Sequence, residues 1–101
     1  MYNIVYLPTA RRQIENAILY IARELNAPDT AERLLQEIND QIKALGEMPY
    51  RFPVYLTLYA MKREIRSIPV NGYIIFYIVR EEQKTVEIWR FLHQRQQKER
   101  P

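Results

Sequence analysis

The chain of 101 residues contains no cysteine, one histidine and two glycines. Without cysteine there is no disulfide framework, no thiolate nucleophile and no sulfur-based metal site. One histidine, with no HExxH-type pair, is too little for a structural zinc site, so no metal is expected. Two glycines cannot supply a loop that cradles nucleotide phosphates, and no serine–histidine–aspartate set is present. No cofactor is therefore expected. No run of about 18 apolar residues occurs, which excludes a membrane-spanning helix. No charged-then-apolar leader opens the sequence, and this gives the expectation of a cytoplasmic protein.

What is there fits one globular domain over residues 1–101, with 48% hydrophobic and 27% charged residues. Its charge is unevenly placed. Residues 1–50 hold five Lys/Arg and seven Asp/Glu, while residues 51–101 hold ten and five, which together give the net charge of +3. The basic excess points to an anionic partner, RNA or an acidic protein segment, on the side built by the second half.

The second half reads as three antiparallel strands near Arg63–Val70, Tyr73–Arg80 and Thr85–Leu92. Asn71-Gly72 tolerates the positive φ angles of a type I′ turn and marks a hairpin. Tyr73, Ile75, Tyr77 and Val79 alternate with Ile74, Phe76, Ile78 and Arg80, so this strand is expected at the centre, covered on much of both faces. In the last strand the alternation puts Val86, Ile88, Arg90 and Leu92 on one face. Glu87, Trp89, Phe91 and His93 fall on the other, with Trp89 and Phe91 expected as core beneath the helices. Pro69 cannot donate to a ladder, which predicts that Arg63–Val70 lies at an edge or ends at Pro69.

The first half reads as a strand at Tyr2–Leu7 followed by two helices. Pro8 suits a first helical turn. Ile14, Ala17, Ile18, Ile21, Ala22 and Leu25 form one apolar stripe; Ala31, Leu34, Leu35, Ile38, Ile42 and Leu45 form a second. Asp29 or Thr30 is expected to cap the second helix, with Glu32 completing a capping box, and Gly46 to end it as a C′ residue. Met48–Met61 is ambiguous: it could be a loop across the sheet edge followed by a strand at Tyr55–Tyr59. Residues 94–101 read as a polar, flexible tail. The fold class is α+β: an N-terminal strand, then an antiparallel helical hairpin packed on a small, mainly antiparallel sheet, in the order β-α-α-β-β-β.

Several local signatures run in that same order. They are Tyr2-x-Ile4-x-Tyr6 with Pro8-x-Ala10, Tyr20-Ile21, Pro28-x-x-Ala31, and Leu45 before Pro49. Arg66-x-Ile68-x-Val70, Tyr73-x-Ile75-x-Tyr77, Val86-x-Ile88 and Leu92-His93-x-Arg95 follow. Together they resemble the RelE/ParE superfamily of bacterial toxins from type II toxin–antitoxin systems, and the final segment looks most like the ParE branch. The resemblance implies a small toxin held inactive by a cognate antitoxin. It also implies one of two targets: DNA gyrase, inhibited by ParE-type members, or mRNA in the ribosome, cleaved by RelE-type members. A toxin fold that only binds its antitoxin is a third reading.

For RNA cleavage, Arg66 and Arg90 could stabilise charge on phosphorus, and His93 could serve as base or acid. Arg66 matches the strand arginine of RelE-type ribonucleases by position. Lys62, Arg63, Arg80, Arg95 and Lys98 are candidates for binding RNA or antitoxin. Each of the three central residues also has a structural reading. Arg66 could pair with Glu64 or Glu87, Arg90 could lie over Tyr77 or pair with an antitoxin, and His93 could cap the sheet end. Two features count against the nuclease. Gln94 and Gln96-Gln97 stand where such enzymes carry Tyr or dense Lys/Arg, and Glu64 puts an anion beside Arg66. These features favour gyrase inhibition, with ribosome-dependent mRNA cleavage as the alternative.

Overall fold

The computed structural model describes residues 1–58 and 62–97. Strand β1 (Asn3–Tyr6) leads into helix α1 (Pro8–Leu19), which continues as a π-helical turn at Tyr20–Glu24. Helix α2 (Pro28–Leu45) returns antiparallel. Strands β2 (Val54–Leu58), β3 (Arg63–Val70), β4 (Tyr73–Arg80) and β5 (Thr85–His93) follow, and a short helix α3 (Gln94–Gln97) comes after them. The strands form one sheet in the order β1-β5-β4-β3-β2, parallel only between β1 and β5. This is the expected α+β architecture, with β4 at the centre, and β2 adds a fifth strand to the four of the expected order.

The helices cover one face. Ala10, Ile14 and Ile21 from the first helical segment and Ala31, Leu34, Ile38, Ile42 and Leu45 from α2 pack on Ile68, Val70, Ile75, Tyr77, Val86, Ile88 and Phe91. The other face has its own smaller core of Ile65, Phe76 and Ile78, packed by Ile74, Trp89 and Leu92. Tyr55 of β2 adds an edge-to-face contact with Phe76 at 5.1 Å between ring centroids.

Four expectations about the elements are corrected. Strand β3 is internal, because β2 pairs with it from Arg63 to Arg66. Pro69 is tolerated because that pairing stops at Arg66, so the side of β3 away from β4 needs no donor there; the strand runs on to Val70. In β5 the strict alternation fails. Phe76 pairs with Arg90 but Tyr77 pairs with Ile88, so Trp89 is the extra residue of a β-bulge. Phe91 lies beneath the helices as expected, with Val86 and Ile88, but across the bulge Trp89, expected beside it, falls with Leu92 in the opposite core.

Helix ends supply the other two corrections. No side-chain cap bond forms at either N-terminus; Leu7 and Ala27 are the N-cap residues, each followed by Pro, whose missing N–H removes one donor from the first turn. Gly46 ends α2 in a right-handed conformation, φ −62°. Its small size serves closeness instead: Tyr2 N–H donates to its carbonyl at 2.8 Å, and a Cβ there would lie 3.3 Å from the Tyr2 oxygen. The two stripes hold except at their margins. Leu25 is 55% exposed, because the π-helical turn takes more residues per turn and carries the stripe past the core. Leu35 lies at the flank of its stripe and is also exposed.

Candidate functional site

Arg66 sits on β3 opposite Tyr77, on the helix side of the sheet but beside the segment that follows α2. Its guanidinium is heavily committed. Nη1 donates to the Phe52 carbonyl at 2.6 Å, the group lies 5.0 Å from the Tyr50 ring centroid, and Nη2 is 3.5 Å from Glu64. The pairing with Glu64, not Glu87, is thus the one formed, although 3.5 Å makes it weak. Glu87 is taken by Arg80, 3.4 Å away. Beside Arg66 a cleft of about 320 Å³ opens, lined by Tyr50, Thr57, Lys62, Arg63 and Glu64 among others.

Tyr50 is itself held from below. Its hydroxyl donates to Glu81 Oε1 at 2.6 Å, Tyr2 donates to the same oxygen at 2.7 Å, and Lys84 pairs with Oε2. One carboxylate thereby ties the chain start, the segment after α2 and the β4–β5 connection. Hydrogen bonds from Lys84, Tyr50 and Tyr2 hold the Glu81 pKa down to about 2. The same bond to Glu81, with some burial, pushes Tyr50 up to about 12. A tyrosine so placed stays protonated, with its proton donated to Glu81. Local sequence patterns miss this cluster, since its partners lie 31 and 79 residues apart in the chain.

His93 lies elsewhere. It pairs with Tyr73 at the far end of β4, edge-on to that ring at 5.1 Å. Its Nδ1 accepts the Arg95 backbone N–H at 3.2 Å, while Gln94 N–H donates to the Gly72 carbonyl. This is the sheet-capping role the sequence allowed. A second cleft, of about 410 Å³, lies here between α1 and the sheet end, lined by Gln13, Asn16, Tyr20, Tyr73 and His93 among others. Arg90 is on the opposite face, paired with Phe76. It lies 4.6 Å from the Trp89 ring centroid and donates to the Trp89 carbonyl, so the expected contact with Tyr77 is not made.

The three candidate catalytic residues are therefore not brought together. Arg66 and His93 stand opposite positions 77 and 73 of β4, about 13 Å apart along the strand direction alone. Arg90 is separated from both by the thickness of the sheet. Acid–base work on one phosphodiester needs groups within hydrogen-bond reach of the same atoms, roughly 3 Å. Of the candidate binding residues, Lys62 and Arg63 join Arg66 at its cleft. Arg80 is bound to Glu87 on the open face, Arg95 is the second residue of α3 and donates its N–H to His93, and Lys98 lies outside the described residues. Among the described residues no group of three or more His, Asp or Glu side chains could hold a metal ion, and no helix is long and apolar enough to cross a membrane.

Comparisons with known proteins agree with this architecture. The fold is similar to that of a chain in the chromosomal ParDE toxin–antitoxin system from P. aeruginosa, with a TM-score of 0.71, 16% identity, and 92% of this chain and 96% of that one covered. It is also similar to a chain of the RelBE2 toxin–antitoxin complex from Mycobacterium tuberculosis, with a TM-score of 0.63, 22% identity, and 91% and 96% covered. No curated protein matches significantly. The model of a family described as the ParE toxin of the type II toxin–antitoxin system parDE matches residues 4–98. That match spans nearly all of the strand, hairpin and sheet described above, and the chain belongs to the ParE toxin family of type II toxin–antitoxin systems.

Proposed function

We propose that this toxin arrests growth by binding and inhibiting DNA gyrase, without itself cleaving a nucleic acid, and that a cognate antitoxin neutralises it. One observation carries the choice of target. Arg66, Arg90 and His93 occupy two faces and two ends of the sheet, so no single phosphodiester can meet a cation, a base and an acid from this set. Membership of the ParE family supports the same choice. Inhibition by binding requires a surface, and the helical hairpin offers one: Leu19, Tyr20 and Leu25 are large apolar side chains about half exposed near its turn. A gyrase target implies action in the cytoplasm.

The test is a supercoiling assay with purified gyrase, relaxed plasmid and this protein. Dose-dependent loss of supercoiling is expected, relieved by adding the antitoxin. His93→Ala should inhibit as wild type does, whereas Leu19→Asp with Tyr20→Asp should lose inhibition while keeping the far-ultraviolet circular dichroism of the native fold. Normal supercoiling at a large excess of toxin would contradict the proposal and favour the alternative, cleavage of mRNA on the ribosome.

A further inference from the structure

The cleft beside Arg66 has features that inhibition by protein contact alone does not use. Lys62, Arg63 and Arg66 line it against one carboxylate, Glu64, so its lining carries a net charge of +2. Arg66 is preorganised there, since the Phe52 carbonyl and the Tyr50 ring fix its guanidinium plane and the Glu81 cluster fixes Tyr50. Lys62 holds φ at +52°, a left-handed conformation unfavourable for a long side chain with no glycine's freedom. Such outliers persist where surrounding structure imposes them, and they gather at sites of function. A fixed guanidinium flanked by a lysine and a second arginine suits an oxygen-rich anion of phosphate type.

Among the described residues, the lining of the same cleft holds no histidine. His93 is at the other end of the sheet. The Tyr50 hydroxyl is spent on Glu81 and its proton is held tightly. Glu64, the one carboxylate among the described lining residues, is exposed and lies beside Arg66. We infer that the Lys62–Arg63–Arg66 cleft is a non-cleaving binding site for the phosphodiester backbone of duplex DNA. The choice of DNA over other phosphodiesters rests on the gyrase reading: a toxin docked on an enzyme that holds duplex DNA brings this cleft near phosphates. Backbone contacts of this kind position a protein and carry no sequence preference.

The test is fluorescence anisotropy with a labelled duplex of about two helical turns, titrated with toxin across a salt series. Each phosphate contact adds about 0.9 to the slope of log affinity against log salt for duplex DNA. Lys62→Glu combined with Arg63→Glu should lower that slope by about two and weaken binding at least about tenfold at low salt. Arg12→Glu combined with Arg23→Glu, the same charge change on the helical hairpin, should leave the slope near the wild-type value. Circular dichroism checks that both variants fold. Equal slopes for the cleft variant and wild type, or an equal loss in the hairpin variant, would overturn the assignment. Tighter binding of a single-stranded RNA of equal charge would overturn the choice of DNA. Supercoiling inhibition by the wild type, measured separately, keeps the two claims distinct. A toxin that inhibits gyrase but shows no cleft-dependent slope sinks only the site, and the reverse result sinks only the target.

Discussion

Glu81 shows how much of this site is made by single residues far apart in sequence. Its carboxylate accepts from Tyr2 and Tyr50 and pairs with Lys84, and Tyr50 in turn carries Arg66. The folded pKa of Glu81 is held near 2, below its ordinary 4.5. A depressed carboxylate contributes stability that is fully present above the unfolded pKa and is lost as pH falls through the folded one. Wild-type stability should therefore fall between about pH 4.5 and 2 more steeply than that of Glu81→Gln, as read from denaturation midpoints across that range. Parallel curves would mean that the three bonds do not survive in solution. Tyr77 makes a buried counterpart: its hydroxyl donates to the Pro49 carbonyl at 2.7 Å, and burial raises its pKa. Tyr77→Phe strands that acceptor and should cost about 1–2 kcal/mol in urea denaturation. Arg66 was legible in the sequence as a strand-borne cation. Its partners, the Phe52 carbonyl and the Tyr50 ring, were not, because neither the path of the segment after α2 nor a backbone oxygen leaves a residue-type signal.

At the scale of elements, the strongest periodic signals were right and the local irregularities were invisible. The stripe Leu34–Ile38–Ile42–Leu45 packs as its spacing requires, and the Asn71-Gly72 turn forms with both residues at positive φ, 47° and 83°. Asn71 also reaches Glu37 of α2 at 2.9 Å, so this turn tethers the sheet to the hairpin. Gly72→Ala forces a Cβ into a left-handed conformation. It should destabilise the fold by roughly 1–2 kcal/mol, measured by urea denaturation. A neutral result would mean that the turn relaxes to another type. The bulge at Trp89 and the π-helical turn at Tyr20–Glu24 each insert a residue into a regular pattern, and composition marks neither. Both errors of facing, at Trp89, which strict alternation put on the side of Phe91, and at Leu25, descend from those two insertions. A single slipped residue in a period-two strand reverses every side chain after it.

The molecule as a whole is two-sided in charge. The acidic half builds the helical hairpin, and the basic half builds β2 to β5 and the tail, with Lys62, Arg63 and Arg66 gathered at one cleft. The order of elements was legible because hydrophobic period, proline and Asn-Gly all agree on it. The dispersal of the candidate catalytic residues was not, because a sequence places Arg66, Arg90 and His93 on neighbouring strands without stating face or register. The consequence of that dispersal, a toxin that does not cut RNA, is checked by mapping RNA 5′ ends in a bacterial host minutes after induction of the wild type, Arg66→Ala and His93→Ala. Growth arrest by the wild type with no new cuts inside translated codons is expected, with arrest preserved in His93→Ala. New codon-associated cuts in the wild type that vanish in both variants would contradict it and make this toxin an mRNA endoribonuclease.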